Sequence, residues 1–322
     1  MTASESQLLV LGWHNVVPSW RFTGSRELFL RGFASQIALL HRAAHVVPLE
    51  DALTRLGRGE PLPARSVALT FDDGYADVAD IIAPMLLRRR LPATFFLCPG
   101  FLERSALPPW EVVSWAVCSA QAQSLDWAGQ HFSLDSGRTR RQVARRISAD
   151  LKATDRVHRD AAVAKVVDDC RPAGSIGLDR LLLGPAGGSR LAELGFAIGS
   201  HTVNHPILSR EAEADQREEI AGSRDALGRM LGVDPTVFAY PNGERRDFTL
   251  RTMEAVADAG YRFAVTTVTG RNDPTVPHHA IRRVMVDPRH GPAAFLHLLR
   301  RPGRNGAARD HAVPSLNHDP GC

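Results

Sequence analysis

The sequence has few lysines and no apolar run long enough to cross a membrane. Lysine occurs only at Lys152 and Lys165, so arginine carries almost all of the positive charge. A net charge of +4 over 322 residues is too weak to indicate nucleic-acid binding, and the basic run 138–146 is expected to be a solvated helix face. The first apolar run, Leu8 to Trp13, is too short for a signal-peptide core, and no stretch of about 18 apolar residues follows it. We therefore expect no nucleic-acid partner, no transmembrane segment and, by default, a cytoplasmic location.

Cysteine is also scarce, and its spacing excludes two common kinds of cross-link. Cys98, Cys118, Cys170 and Cys322 lie far apart and form no Cys-x-x-Cys pair, so neither a disulfide framework nor a zinc knuckle is implied. The chain has 44% hydrophobic and 23% charged residues, which is ordinary globular composition. A protein of this length can bury a large apolar core without cross-links.

Short apolar runs alternate with stretches of helical periodicity along the chain. Gly195 and Gly260 each follow a helical stretch and precede an apolar run, as expected at helix C-termini. Strand, helix and strand in repeated order predict a parallel α/β architecture. The predicted strands are Gln7–Trp13, Ser66–Phe71, Ala93–Leu97, Phe196–Gly199, Thr236–Ala239, Phe263–Thr266 and Ile281–Val286, and the predicted helices are Phe33–Ala44, Ala76–Arg90, Glu211–Leu231 and Thr249–Ala259.

Two regions depart from this rhythm. Residues 102–189 carry three tryptophans, a basic run and a glycine-rich stretch, and we expect a mostly helical insertion on the rim of the sheet. From residue 302 to 322 the chain is rich in Gly, Pro, Asn and Arg without periodicity, which predicts a disordered tail. Residues 1–301 are therefore expected to form one domain that contains the insertion.

Two adjacent carboxylates, Asp72 and Asp73, follow the apolar run 66–71 directly. The carboxyl ends of parallel strands are where α/β folds build active sites. Both side chains can reach one cleft if the strand bends there, and Gly74 permits such a bend. Two close carboxylates repel unless a cation lies between them or one takes a proton. An Asp-Asp-Gly sequence alone is equally typical of a plain turn.

Two histidines, His201 and His205, follow another apolar run, Phe196 to Ile198. Their spacing of four would place both imidazoles on one face of a helical turn, which suits two nitrogen ligands on one divalent metal. An isolated pair of this kind is usually two loop histidines with local hydrogen bonds. Because both motifs follow strands of one predicted sheet, we expect Asp73 to join the histidines and leave a fourth position for water, as in catalytic zinc sites.

A third motif, Tyr240-Pro241-Asn242-Gly243, lies at the end of the predicted strand Thr236–Ala239. Such a turn aims consecutive backbone N–H groups outward, where they can stabilise an oxyanion. Without the other two motifs, a bare reverse turn would be the better interpretation.

The three motifs, in this order and each at a strand end, resemble the NodB-type polysaccharide deacetylases of carbohydrate esterase family four. The resemblance covers about residues 7 to 100 and 190 to 290 and is carried mainly by Thr70-Phe-Asp-Asp-Gly-Tyr75 and His201-Thr-Val-Asn-His205. It implies a deformed (β/α) barrel of about seven parallel strands.

The resemblance also implies roles for the motif residues. Asp72 would be the catalytic base, and Asp73 with the two histidines would hold one divalent metal, expected to be zinc. The N–H of Asn242, which follows Pro241, would donate to the oxyanion, with Tyr240 beside it.

This sequence departs from the family pattern at the residue that orients the base. The family's third motif often begins with an arginine, and Ala239 stands at that place here. Arg283, at the start of a later strand, is expected to supply the charge instead. A surface ion pair is the alternative role for Arg283.

The general acid is the second departure. The usual C-terminal Leu-x-His motif would be met by His297, but that residue lies on an apparent amphipathic helix, where a solvent-facing histidine is the simpler interpretation. His14, which closes the first strand, resembles the early histidine that serves as the acid in the exopolysaccharide deacetylase branch. We therefore assign the acid to His14, with a supporting role near the metal as its alternative.

The expected activity is metal-dependent removal of N-acetyl groups from an amino-sugar glycan or glycoconjugate, giving acetate and a free amine. An O-acetyl esterase or a small-amide hydrolase with the same site remains an alternative. A non-catalytic carbohydrate-binding barrel is another, but it should lack one of the four motif carboxylates and histidines, and all four are present.

Overall fold

The computed structural model describes residues 7–300, in which strands and helices alternate along the chain. The strands are β1 Leu8–Trp13, β2 His45–Val46, β3 Ser66–Phe71, β4 Thr94–Leu97, β5 Ser124–Trp127, β6 Gln130–Ser133, β7 Ala197–Ser200, β8 Val237–Ala239, β9 Phe263–Val265 and β10 Val284–Met285. The α-helices are α1 Arg26–Ala43, α2 Leu49–Gly57, α3 Ala83–Leu87, α4 Pro99–Glu103, α5 Pro109–Cys118, α6 Gly137–Asp150, α7 Arg156–Cys170, α8 Leu178–Leu181, α9 Pro185–Glu193, α10 Glu213–Leu231, α11 Leu250–Asp258 and α12 Pro292–Arg300.

Seven strands lie side by side in one curled sheet, in the order β10-β1-β3-β4-β7-β8-β9, and all of their pairings are parallel. The short strand β2 also pairs with β3. β1 and β3 pair along their whole length and are buried throughout, as expected for parallel strands that are covered on both faces. The predicted α/β class and the deformed (β/α) barrel of about seven parallel strands are confirmed.

The two edges of the curled sheet are joined by the segment that ends in β10, which we call the closing segment (residues 281–285). Ile281 forms a parallel bridge with Val265 of β9, at one edge. Val284 pairs with Leu11 of β1, at the other edge. A segment from late in the chain therefore completes the ring of strands.

The residues of β1 alternate between two apolar layers. Leu9 and Leu11 pack with side chains of helix α1, outside the sheet. Leu8 and Val10 pack with Val265 and other residues from both edges of the sheet, which places them inside the curl. Because the strands are parallel, the polar residues that follow them meet at one rim of the sheet.

A long insertion separates β4 from β7, although these strands are neighbours in the sheet. Helices α5, α6 and α7 of this insertion pack around an apolar cluster of their own. The mostly helical character predicted for residues 102–189 is confirmed, with the addition of an antiparallel hairpin formed by β5 and β6. Its turn residues Ala128 and Gly129 have φ angles of 49° and 74°, as in a two-residue turn with both φ angles positive.

The predicted helix over residues 76–90 is not one continuous α-helix. Val78–Ile82 form a π-helical turn, and α3 begins only at Ala83. Pro84 has no N–H to donate to the carbonyl four residues earlier, which favours a local change of helix type at this point.

Two further expectations concern the ends of the chain and the membrane. The tail predicted to be disordered, residues 302–322, lies outside the described residues. Within residues 7–300, no helix is long and apolar enough to cross a membrane.

Candidate active site

The two motif carboxylates lie at the rim of the sheet, directly after β3. The backbone N–H of Asp72 still donates to the carbonyl of Trp13 at 2.9 Å, so Asp72 continues the sheet by one residue. Asp73 and Gly74 then adopt φ angles of 72° and 73°, which turns the chain sharply. Asp72 and Asp73 are each 2% exposed, and both line one cleft.

Asp72 is held in a buried, bidentate ion pair with Arg283. The two terminal nitrogens of the guanidinium lie 2.8 Å from the two carboxylate oxygens, and its Nε donates to the carbonyl of Thr266 at 2.9 Å. Burial alone would raise the pKa of Asp72, but the charge and hydrogen bonds of Arg283 and the charge of His201 outweigh it and lower the pKa. Arg283 is completely buried, so the alternative of a surface ion pair is excluded.

Asp73 and the two motif histidines form a compact cluster. Oδ1 of Asp73 lies 3.5 Å from Nε2 of His201 and 3.4 Å from Nε2 of His205. The same Oδ1 atom is buried and has no hydrogen-bond partner in residues 7–300. The three ligand atoms lie within 4.8 Å of one another. One carboxylate oxygen and two imidazole nitrogens that converge on one point are a fitting ligand set for a divalent metal such as zinc.

The orientation of the histidines is fixed by contacts on their far side. Nδ1 of His201 lies 2.6 Å from the carbonyl oxygen of Ala239, which favours a proton on Nδ1 and leaves Nε2 free to bind a metal. Burial and the neighbouring His201 lower the pKa of His205 to about 3, which keeps it in the neutral form that metals require.

The expected helical turn over residues 201–205 is wrong. This segment is a loop, in which Thr202 and His205 have φ angles of 64° and 55°. Oγ1 of Thr202 accepts the backbone N–H of His205 at 3.0 Å and stabilises the turn. The imidazoles converge because of this tight loop and not because of helical spacing.

Two side chains outside the motifs hold this loop in place. Glu219 of α10 accepts the backbone N–H groups of Val203 and Asn204 at 2.9 and 2.8 Å. Arg159 of α7, in the insertion, donates to the carbonyl of His205 at 2.8 Å. Neither residue belongs to a sequence motif, because each acts on backbone atoms far away in the chain.

The third motif lies beside the cluster, and both Tyr240 and Asn242 line the cleft. The hydroxyl of Tyr240 donates to the carbonyl of His279 at 2.9 Å, which fixes its ring. Pro241 is buried, and Asn242 has a φ angle of 60°. Within the described residues the backbone N–H of Asn242 has no acceptor, so it is available to an oxyanion.

The structure separates the two candidate acids. His14 lies in the wall of the cleft, and its ring stacks on Phe22 at a centroid distance of 6.1 Å. His297 is exposed on α12 and does not line the cleft.

Besides Arg159, several further cleft residues were not found from the sequence, and four of them carry aromatic or charged side chains. Arg21 and Phe22 come from the loop after β1, and Trp110 and Lys152 come from the insertion. None of them belongs to a recognisable motif. The only signal was indirect, namely the expectation that the insertion lies on the rim.

Comparisons with known proteins find similarity to polysaccharide deacetylases. The model of the polysaccharide deacetylase family matches residues 59–264. YxkH of Bacillus subtilis is 31% identical over 105 residues, which are 33% of this chain and 37% of that protein. The peptidoglycan-N-acetylglucosamine deacetylase of Bacillus cereus is 36% identical over 55 residues, 17% of this chain and 20% of that protein. These matches thus span less than half of either relative.

Among solved structures, the deacetylase PplD of Streptococcus pyogenes, in complex with acetate, has a similar fold. The superposition has a TM-score of 0.61 at 17% sequence identity and covers 92% of this chain and 99% of that one. At this level of identity the likeness concerns the fold.

Proposed function

Because this chain belongs to the polysaccharide deacetylase family, we propose that it is a metal-dependent hydrolase that removes N-acetyl groups from an amino-sugar glycan or glycoconjugate. The products would be acetate and a free amine. The observation that carries the proposal is the buried pair of Asp72 and Arg283 beside the cluster of Asp73, His201 and His205, in one cleft.

Asp72 is the base of the proposed reaction. Its paired guanidinium keeps the carboxylate ionised at neutral pH, although it is buried. An ionised carboxylate can accept the proton of the attacking water, and Arg283 holds it in one orientation. The ion pair therefore keeps the base both ionised and correctly oriented.

Asp73, His201 and His205 would hold the divalent metal, which we propose to be zinc. When bound, such an ion supplies Lewis-acid polarisation of the acetyl carbonyl. The free backbone N–H of Asn242 would donate to the oxygen that becomes negative as water attacks. His14, in the wall of the same cleft, would donate the proton that lets the sugar leave as an amine.

N-acetyl specificity is the finer part of the proposal. It is supported by the matched Bacillus cereus relative, which is named for N-acetylglucosamine deacetylation. An O-acetyl esterase would use the same base and oxyanion donor, so only the product separates the two reactions.

The test measures acetate and free amine released from N-acetylated oligosaccharides, with O-acetylated xylan as the ester substrate. We expect equal amounts of acetate and amine from the N-acetylated sugars and a loss of about 10² to 10⁴-fold for Asp72→Asn. Asp80→Asn is the matched control, because Asp80 is exposed on the helical turn that follows and lines no part of the cleft. Acetate released only from the ester, or full activity of Asp72→Asn, would contradict the proposal.

A further inference from the structure

The cleft contains two cationic side chains that the proposed reaction does not use. Arg21 lies in the loop after β1, and Lys152 lies in the insertion just after α6. The other charged residues of the cleft wall have partners: Asp72 pairs with Arg283, and Asp73 faces the two histidines. Arg159 donates to the carbonyl of His205 and pairs with Asp160.

The guanidinium of Arg21 forms no hydrogen bond and no ion pair within 4.0 Å in the described part of the chain, although the charge of Glu111 is near enough to raise its pKa. Glu111 of α5 lies near it but is occupied otherwise. Its carboxylate accepts the backbone N–H of Arg21 at 2.9 Å, the hydroxyl of Tyr75 at 2.8 Å and the hydroxyl of Ser19 at 2.7 Å. The side chain of Arg21 is therefore half-buried, and the acidic group nearest in charge to it is already engaged by three other donors.

Lys152 is bound to a neutral group. Its ammonium donates to Oδ1 of Asn242, and no carboxylate of residues 7–300 lies within 4.0 Å of it. The two acidic residues nearby have other partners. Glu244 pairs with Arg246 at 2.9 Å, and Asp247 accepts the backbone N–H of Glu244 at 2.9 Å.

The positive charge continues outward from Arg21 over the insertion. Arg21, Arg141 and Arg145 line a small depression next to the cleft. Burial and the charge of Arg145 both lower the pKa of Arg21, as expected when like charges approach each other. A bound anion would relieve this repulsion, and the positive potential of the three arginines would attract such an anion toward the cleft.

Lys152 and Asn242 are in contact, so an anion held by Lys152 would lie next to the proposed oxyanion donor. That places the anion on the same sugar as the acetamide or on its neighbour. Resting on the proposed function, we propose that Arg21 and Lys152 bind an anionic group, a phosphate or a carboxylate, carried by the acetylated saccharide. The substrate class is therefore an acidic N-acetylated glycan and not a neutral one.

The first experiment measures binding without turnover, on the full-length protein in the presence of a chelator. N-acetylglucosamine 6-phosphate and N-acetylmuramic acid, which carry a phosphate and a carboxylate, are titrated beside neutral N-acetylglucosamine. We expect at least one of the acidic sugars to bind about tenfold more tightly at low salt, and this preference to shrink as salt rises. The acidic sugar that binds more tightly than neutral N-acetylglucosamine shows whether the site prefers a phosphate or a carboxylate.

Variants then assign the preference to the two cations. Arg21→Gln and Lys152→Gln should each reduce the ratio of acidic to neutral binding several-fold, and the double variant should bring it near one. Arg21→Lys should restore most of it, because the charge is kept. Arg138→Gln is the matched control, since Arg138 is exposed on α6 in the same insertion and lines neither depression.

A second experiment compares acetate release from acidic and neutral N-acetylated oligosaccharides by the untreated enzyme. Equal binding and equal kcat/KM for both classes, with acetate still released, would overturn the inference and leave the proposed function intact. Persistence of the preference in the double variant would also overturn it. Charge-dependent binding without acetate from any sugar would instead contradict the proposed function and support the anion site.

Discussion

Arg283 and Asp72 form a pair of buried charges, and each neutralises the charge of the other. The folded protein depresses the pKa of Asp72, so the pair stabilises the fold above the pKa of an unfolded aspartate, about 4. That stabilisation is lost as the pH falls through the pKa of the folded state. Removal of one partner leaves the other as an unpaired charge in an apolar surrounding.

We therefore predict that Arg283→Met destabilises the protein by about 3–5 kcal/mol and moves the acidic limb of the pH–rate profile to higher pH. Chemical denaturation and kcat/KM measured against pH check the two effects. The double variant Asp72→Asn/Arg283→Met should recover part of the lost stability, because no charge is then left unpaired. An unchanged acidic limb in Arg283→Met would show that another group is the base.

The assignment of the acid to His14 makes a prediction about leaving groups. His14→Ala should lower hydrolysis of acetamido sugars by about 10² to 10⁴-fold and hydrolysis of activated aryl acetates much less, because a phenolate leaves without a proton. The ratio of the two losses is the measurement. His297→Ala, the exposed control, should not change this ratio. Equal losses on both substrates for His14→Ala would contradict the assignment.

The candidate catalytic and metal-binding residues could be predicted from the sequence. The residues that fix the position of the histidine loop could not. Asp72, Asp73 and the two histidines stand directly after apolar runs, so the parallel sheet had to bring them to one rim. Glu219 and Arg159 act on backbone atoms of the histidine loop from two helices that are distant in the chain. No local pattern marks such contacts.

The loop after β1 is held in place by a side chain from the segment after β3. Oδ2 of Asp77, which lies just before the π-helical turn, accepts the backbone N–H groups of Val16 and Val17. Val16 is two residues after His14, so the Asp77 carboxylate anchors the loop that carries the proposed acid. Burial raises the pKa of Asp77 to about 7, against the opposing effect of these hydrogen bonds.

This anchor predicts a pH-dependent stability. The folded protein holds a proton on Asp77 that the unfolded chain releases near pH 4, so the contribution of this group falls as the pH rises from about 4 to about 7. Asp77→Asn should remove this part of the pH dependence, which is a change in the free energy of unfolding on the order of 3–4 kcal/mol between these pH values. Chemical denaturation of both proteins between pH 4 and 8 measures the difference. Asp80→Asn should keep the wild-type slope, and an identical slope for Asp77→Asn would contradict the prediction.

The elements were predictable where their burial is uniform. β1 and β3 are buried at every position and consist mostly of apolar residues, and such runs are typical of strands covered on both faces. The hairpin β5–β6 was missed because its strands are partly exposed and its turn begins with Ala128, a residue that seldom adopts a positive φ. The π-helical turn was missed because helical periodicity does not distinguish the two helix types.

At the scale of the whole molecule, the proposed metal site connects β3, β7 and, through the carbonyl of Ala239, the end of β8. An ion that binds only the folded chain stabilises it, by about 2.7 kcal/mol at a concentration 100 times its Kd. We predict that zinc raises the Tm of the chelator-treated protein by several degrees. His201→Ala should abolish this shift and His297→Ala should retain it. A full shift in His201→Ala would contradict the ligand assignment.

The closing segment, which carries Arg283, is synthesised long after the strand that leads to Asp72. Arg283 and Asp72 are 211 residues apart in the chain, and the segment that carries Arg283 is synthesised after the other strands of the ring. A partly folded chain with an open seam would hold Asp72 without its counter-charge, which favours the protonated, inert carboxyl. A local opening of the seam between β1 and β10 would therefore separate the proposed base from its guanidinium while the rest of the barrel remains folded.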